Sequence, residues 1–144
     1  MKTLKKCIVV LVAALLCAAA FSGCAEAPSG ITMKTLRPTY PNDVTSIEVR
    51  LRNYSNSAIL YGVAFSVEKY DNGEWEVLLP DEPVFFILVG LVLRPFGSAK
   101  LSCKVDLFYS GVLETGNYRI VKSFTVENPD IPGRFPLYAN FEVV

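Results

Sequence analysis

The stretch that decides the fold is Leu113–Val126, LETGNYRIVKSFTV. Its first half closes the segment YSGVLETG, Tyr109–Gly116, whose serine, threonine and glycines mark a turn or loop. From Asn117 to Val126 the chain reads as a strand, rich in β-branched and aromatic residues and free of glycine and proline. The segment ENPDIPGRFP follows as a loop, and LYANFEVV, Leu137–Val144, is a last strand.

Working back toward the N-terminus, the same punctuation recurs. ITMKTL, from Ile31, is a first strand ended by Arg37-Pro38. TSIEVRLRN alternates, with Ile47, Val49 and Leu51 on one side and Glu48, Arg50 and Arg52 on the other, the mark of a half-buried antiparallel strand. AILYGVAFSVEKY reads as one strand, with Val63, Phe65 and Val67 sharing a face. Asn72-Gly73 then supplies the positive backbone torsions of a tight hairpin, and EWEVLL returns with Trp75, Val77 and Leu79 alternating. In SAKLSCKVDLF, Leu101, Cys103, Val105 and Leu107 share a face, so the thiol is expected buried as an apolar filler rather than exposed as a redox group. No segment has a convincing helical period. The pattern predicts an all-β sandwich of about seven to eight antiparallel strands with Greek-key connections.

The segment from Leu113 to Ile120, with Gly116 and Tyr118, resembles the L-x-P-G-x-Y-R-I segment of bacterial immunoglobulin-like domains; Thr115 stands at the proline position. The resemblance implies that Gly116 makes the turn and that Tyr118 folds back to bond a nearby backbone group, a tyrosine corner. FSVEKYDNGEWEVL, with Asn72, Gly73 and Trp75, is similar to the hairpin of the same domains. The likeness covers roughly residues 31–144 and implies an immunoglobulin-like β-sandwich. It does not extend to the antibody disulfide, because Cys103 has no partner in the expected mature chain except Cys24.

The N-terminal stretch reads differently. Lys2, Lys5 and Lys6 precede an apolar run from Cys7 to Ala20, and Phe21-Ser22-Gly23 follows, the order of a secretory signal. The apolar run is short for a membrane span, which needs about 20 residues; the alternative is an uncleaved anchor. Phe21-Ser22-Gly23-Cys24 resembles the bacterial lipobox, with phenylalanine in place of the usual leucine. That resemblance implies a diacylglycerol on Cys24, cleavage before it, and a membrane partner reached through covalent lipid; the alternative is a plain signal with Cys24 a spare thiol. The expected organisation is a signal peptide over 1–23, a lipid-anchored tether over 24–30 and the sandwich over 31–144. The tether reaches about 20 Å when extended, so the domain is expected to work close to an extracytoplasmic membrane surface.

Composition narrows the chemistry. The chain holds 14 basic and 14 acidic residues; without the three leader lysines 11 basic and 14 acidic remain, a net of −3. A mildly acidic domain is a poor match for nucleic acid, and none is expected as partner. There is no histidine, which removes Ser-His triads, Cys-His pairs and histidine metal ligands. Ser66-Val67-Glu68-Lys69 fits S-x-x-K, but residues three apart on a strand lie on opposite faces, and the companion motifs are missing. Asn53-Tyr54-Ser55 fits a glycosylation sequon, which a bacterial lipobox makes irrelevant. No cofactor, no metal and no catalytic residue are expected. Val84–Leu93, VFFILVGLVL, is an unbroken apolar run. It reads best as core, a strand buried on both faces, with a core helix turn as the alternative; if exposed instead, Phe85, Phe86, Ile87 and Leu91 would form a partner-binding patch. The functional expectation is a membrane-anchored, non-enzymatic module that binds an envelope or extracellular protein or glycan. The alternative is an immunoglobulin-like proteinase inhibitor.

Overall fold

The computed structural model describes residues 28–144, so the leader and Cys24 lie outside the described residues. Ten strands follow in order: β1 Ile31–Thr35, β2 Thr39–Tyr40, β3 Ile47–Asn53, β4 Ile59–Tyr61, β5 Ser66–Asp71, β6 Glu74–Val77, β7 Leu91–Leu93, β8 Ser98–Cys103, β9 Gly116–Val126 and β10 Phe135–Val143. They form two sheets. The smaller has the order β1-β3-β8, all antiparallel. The larger has the order β2-β10-β9-β4-β7, with β5 also paired to β9 and β6 to β5. This is the two-layer, all-β architecture that the alternating pattern predicts.

Period-two alternation builds the core. Ile47, Val49 and Leu51 of β3 face Tyr118, Ile120 and Phe124 of β9 and Phe135, Leu137, Ala139, Phe141 and Val143 of β10 across the layer between the sheets, all buried. Each large apolar side chain removed from water here contributes about 1.5–3 kcal/mol. One buried polar residue ties the loops at one end. Asn53 donates through its amide to the carbonyls of Ser57, at 2.8 Å, Arg94, at 3.2 Å, and Leu93, at 3.3 Å. Its carbonyl oxygen accepts from the Ser55 hydroxyl at 2.7 Å and the Ser55 backbone at 3.0 Å. The sequon asparagine is therefore a structural hub, with its amide nitrogen fully engaged.

Four features differ from the sequence-based expectation. The short strand β2, parallel to β10, carried no signal of its own. The single strand expected from Ala58 to Tyr70 is two strands on one edge of β9: β4 pairs with Phe124–Val126 and β5 with Tyr118–Val121. Between them the chain breaks at Gly62–Phe65, and the freed carbonyls of Val63 and Ala64 accept hydrogen bonds from the Lys122 ammonium at 3.2 and 2.9 Å. The strand containing Cys103 ends there; Val105–Phe108 is a 3-10 turn, where residues three apart eclipse, so Val105 and Phe108 are buried and Leu107 is exposed. The last difference concerns Val84–Leu93, where only Leu91–Leu93 is strand. A strand buried on both faces needs a layer packed on each, and β7 has one covered face only: Leu93 is buried and Val92 points to solvent.

Candidate functional site

Tight turns set the outer face of the larger sheet. Asn72 and Gly73 have φ of 49° and 88°, the two positive torsions of a two-residue hairpin, and place Trp75 opposite Tyr70 in register. At the other side of β5, Gly116 opens β9. Two residues later Tyr118 is buried, and its hydroxyl donates to the Glu114 carbonyl at 2.8 Å, closing the turn on itself. Burial pushes this phenol above its ordinary range. The Glu114 side chain pairs with Lys69 of β5, which locks the turn to the sheet. Gly116, Tyr118, Asn72 and Gly73 thus act on backbone geometry.

Trp75 does more. Because Tyr118 and Ile120 point into the core, Arg119 between them points out. Its guanidinium lies 4.3 Å from the Trp75 ring centre and 4.2 Å from that of Tyr138 on β10. Glu68 of β5 accepts from the same guanidinium at 2.5 Å, and both partners are mostly shielded from solvent. Tyr70 packs against Trp75 with centroids 5.0 Å apart. Three strands therefore deliver a fixed stack, aromatic–guanidinium–aromatic, held by a carboxylate. Its arginine is covered on both faces and paired, so it is not free to bind an anion.

A cleft of about 580 Å³ opens at the foot of this stack. Tyr70, Trp75 and Pro38 line it with apolar surface and Asn117, Asn140 and Glu142 with polar groups; Tyr118 and Phe141 are its buried lining. The size falls within the range of small-ligand sites, about 300–1,000 Å³. The lining offers apolar ring surface, amides that both donate and accept, and one carboxylate. Arg119, Tyr138, Glu68, Asn117 and Asn140 escaped the sequence reading. Their signal was available in the outward positions of β5, β9 and β10, between the apolar ones.

The apolar run provides a second, separate surface. Phe85, Ile87, Leu88 and Val89 are exposed on a loop, whereas Phe86 turns inward against Phe65, 5.3 Å between ring centres, and Leu91 is half-buried. Of the four residues named for a patch, the structure leaves Phe85 and Ile87 free and uses Phe86 and Leu91 for packing. Val77 and Leu79 are also exposed: the alternation of Trp75, Val77 and Leu79 is real, but that face of β6 points away from the core. Cys103 is buried, and burial pushes its thiol up to about 11 from an ordinary 9.0, an inert filler at neutral pH. Ser66 and Lys69 both lie on β5, and Lys69 is spent on Glu114. Among the described residues no group of three or more metal-capable side chains occurs.

A family model described as a bacterial Ig-like domain matches residues 27–142. No curated protein matches the chain. Three solved structures are similar at a loose level. The ASH/PapD-like domain of human CEP192 shares 12% identity, with a TM-score of 0.37, over 86% of this chain and 95% of that one. The Pseudomonas fluorescens alkylpurine DNA glycosylase AlkC shares 11%, with a TM-score of 0.38, over 83% of this chain and 32% of that one. The Listeria innocua β-glucosidase shares 13%, with a TM-score of 0.33, over 79% of this chain and 16% of that one. Likenesses this loose carry nothing about ligand or activity.

Proposed function

The chain belongs to the bacterial Ig-like domain family, and from that footing we propose that it is a lipid-anchored, non-catalytic binding module of the bacterial envelope, whose cleft beside Trp75 takes a glycan. The observation that carries this reading is the fixed Trp75–Arg119–Tyr138 stack with the cleft at its foot. A sugar ring presents an apolar C–H face and a rim of hydroxyls. The Tyr70 and Trp75 wall offers the first a π surface. Asn117, Asn140 and Glu142 offer the second donors and acceptors. A rigid platform limits the entropy lost when a ligand docks, because Arg119 and Glu68 already hold the rings in place.

The same lining supports binding without turnover. Glycoside hydrolysis uses two carboxylates flanking the scissile bond, and Glu142 is the one carboxylate of the cleft. The anchoring half of the reading rests on Phe21-Ser22-Gly23-Cys24 and on the short tether to β1. Two or three acyl chains, at about 0.8 kcal/mol per buried methylene, hold a protein firmly on a bilayer.

Titration of cell-wall glycan fragments into the acyl-free domain, followed by calorimetry and by Trp75 emission, tests the binding half. Saturable binding is expected. Tyr70→Ala should weaken it about tenfold, roughly 1.4 kcal/mol, with the melting temperature nearly unchanged, because Tyr70 is exposed. Absence of any binding, or equal binding by Tyr70→Ala and the parent, contradicts the assignment.

A further inference from the structure

We propose that the loop Phe85–Val89 is a second, non-covalent membrane contact that lays the sandwich edge-on against the bilayer holding its lipid anchor. This inference rests on the anchored reading above. Phe85 is 90% exposed, Ile87 72% and Leu88 105%, and the next strand adds Val92 at 54%. Such a run of large apolar side chains facing water on one loop is not ordinary surface. Phe86 alone is drawn into the core, and through it the loop is pinned to Phe65. The remaining side chains thus project from a fixed base.

The path of the chain points to the occupant. Gly30, the last tether residue, accepts a hydrogen bond from the Tyr54 backbone at 2.7 Å, and Ile31 pairs with Asn53. Asn53 in turn holds the carbonyls of Leu93 and Arg94, at the end of β7. The tether therefore enters the domain beside β7, and the apolar loop lies at the other end of that same three-residue strand, about 10 Å away. A tether of about 20 Å keeps both within reach of one bilayer. β7 is also the outermost strand of its sheet row, with β2 at the far side.

Charge agrees with this placement. Arg134 borders the groove formed by Leu60, Ile87, Leu88 and Val89, and exposed Arg94 follows β7. Arginines at the rim of an apolar contact reach lipid phosphates while their stems stay in the interface. The acidic pair Asp81 and Glu82 sits at the start of the segment and lines a hollow with Phe85 and Asp106, where Asp81 accepts from the Ser110 hydroxyl at 3.0 Å; the contact is therefore carried by the Ile87–Val89 end of the loop, beside Arg134.

The test uses the mature chain from Cys24, with that thiol coupled to a maleimide lipid in phosphatidylcholine–phosphatidylglycerol vesicles. Cys103 is buried and does not compete. Leu88→Trp reports on the loop and Val144→Trp, beyond β10 toward the opposite side of the sheet, serves as control; Trp75, the only native tryptophan, gives the baseline. Expected is a blue shift and loss of emission for Leu88→Trp when the acyl chains are brominated, with Val144→Trp unaffected. Unchanged Leu88→Trp emission overturns the proposal and leaves the loop to a protein partner. Equal quenching at both positions overturns it as well, since no particular edge then faces the lipid. Because the tether is made chemically, the outcome is independent of whether cells acylate Cys24.

Discussion

Arg119 shows how a single residue organises the outer face. An arginine between two inward aromatic and aliphatic neighbours has to point outward, and there it meets a ring on each side and a carboxylate in plane. A cation over an aromatic face contributes about 0.5–1 kcal/mol when exposed and about 2 when desolvated. Two such contacts plus a shielded ion pair make Arg119→Ala costly, about 2–4 kcal/mol by chemical denaturation. Arg119→Lys keeps the charge but loses the flat group that fits between Trp75 and Tyr138, and should recover less than half of that loss. A loss below about 0.5 kcal/mol for the alanine variant would mean that the stack is incidental.

At the scale of elements, the break between β4 and β5 is the informative event. The sequence from Ala58 to Tyr70 looks continuous, because Gly62 alone is weak punctuation. What divides it is Lys122, four strands beyond β5 in the order of the chain, which sits on the inward face of β9 beside Tyr118 and Ile120 and takes the Val63 and Ala64 carbonyls. Burial pulls the Lys122 ammonium below its ordinary value, with the Cys103 thiol nearby acting the other way. Between the lowered folded value and the ordinary 10.5, the unfolded chain keeps a proton that the folded chain has released. Stability from this group therefore rises with pH in that window. In a Cys103→Ala background, which removes the opposite drift of that thiol, the protein with Lys122 should gain on its Lys122→Met variant as pH climbs toward the ordinary 10.5. A difference in unfolding free energy that stays flat with pH would contradict the buried ammonium. Lys122 also marks the limit of what can be read from sequence. Strands such as β3 and β9 are legible because alternation encodes their burial directly. The strand break, the 3-10 turn after Cys103 and the exposure of Phe85–Val89 depend on which neighbours a segment acquires, and hydropathy alone carries no record of neighbours. Of the outer-face site, Trp75 and Tyr118 were legible through their turns. Arg119 and Tyr138 became visible only when β9 and β10 were set side by side.

At the scale of the whole molecule, the larger sheet carries both candidate surfaces. The core and the Tyr118 turn fix the sandwich; one outer face carries the aromatic cleft, and the β7 edge carries the apolar loop. In the proposed arrangement the fold holds a glycan-binding face near a bilayer and leaves covalent chemistry to other proteins. That arrangement stands on Cys24 as the residue that ties the domain to lipid. Intact-mass spectrometry of the protein extracted from bacterial membranes tests it most directly. The account predicts a chain beginning at Cys24 with a diacylglycerol on its sulfur. A chain that begins elsewhere, or a Cys24 whose thiol is unmodified, would contradict it.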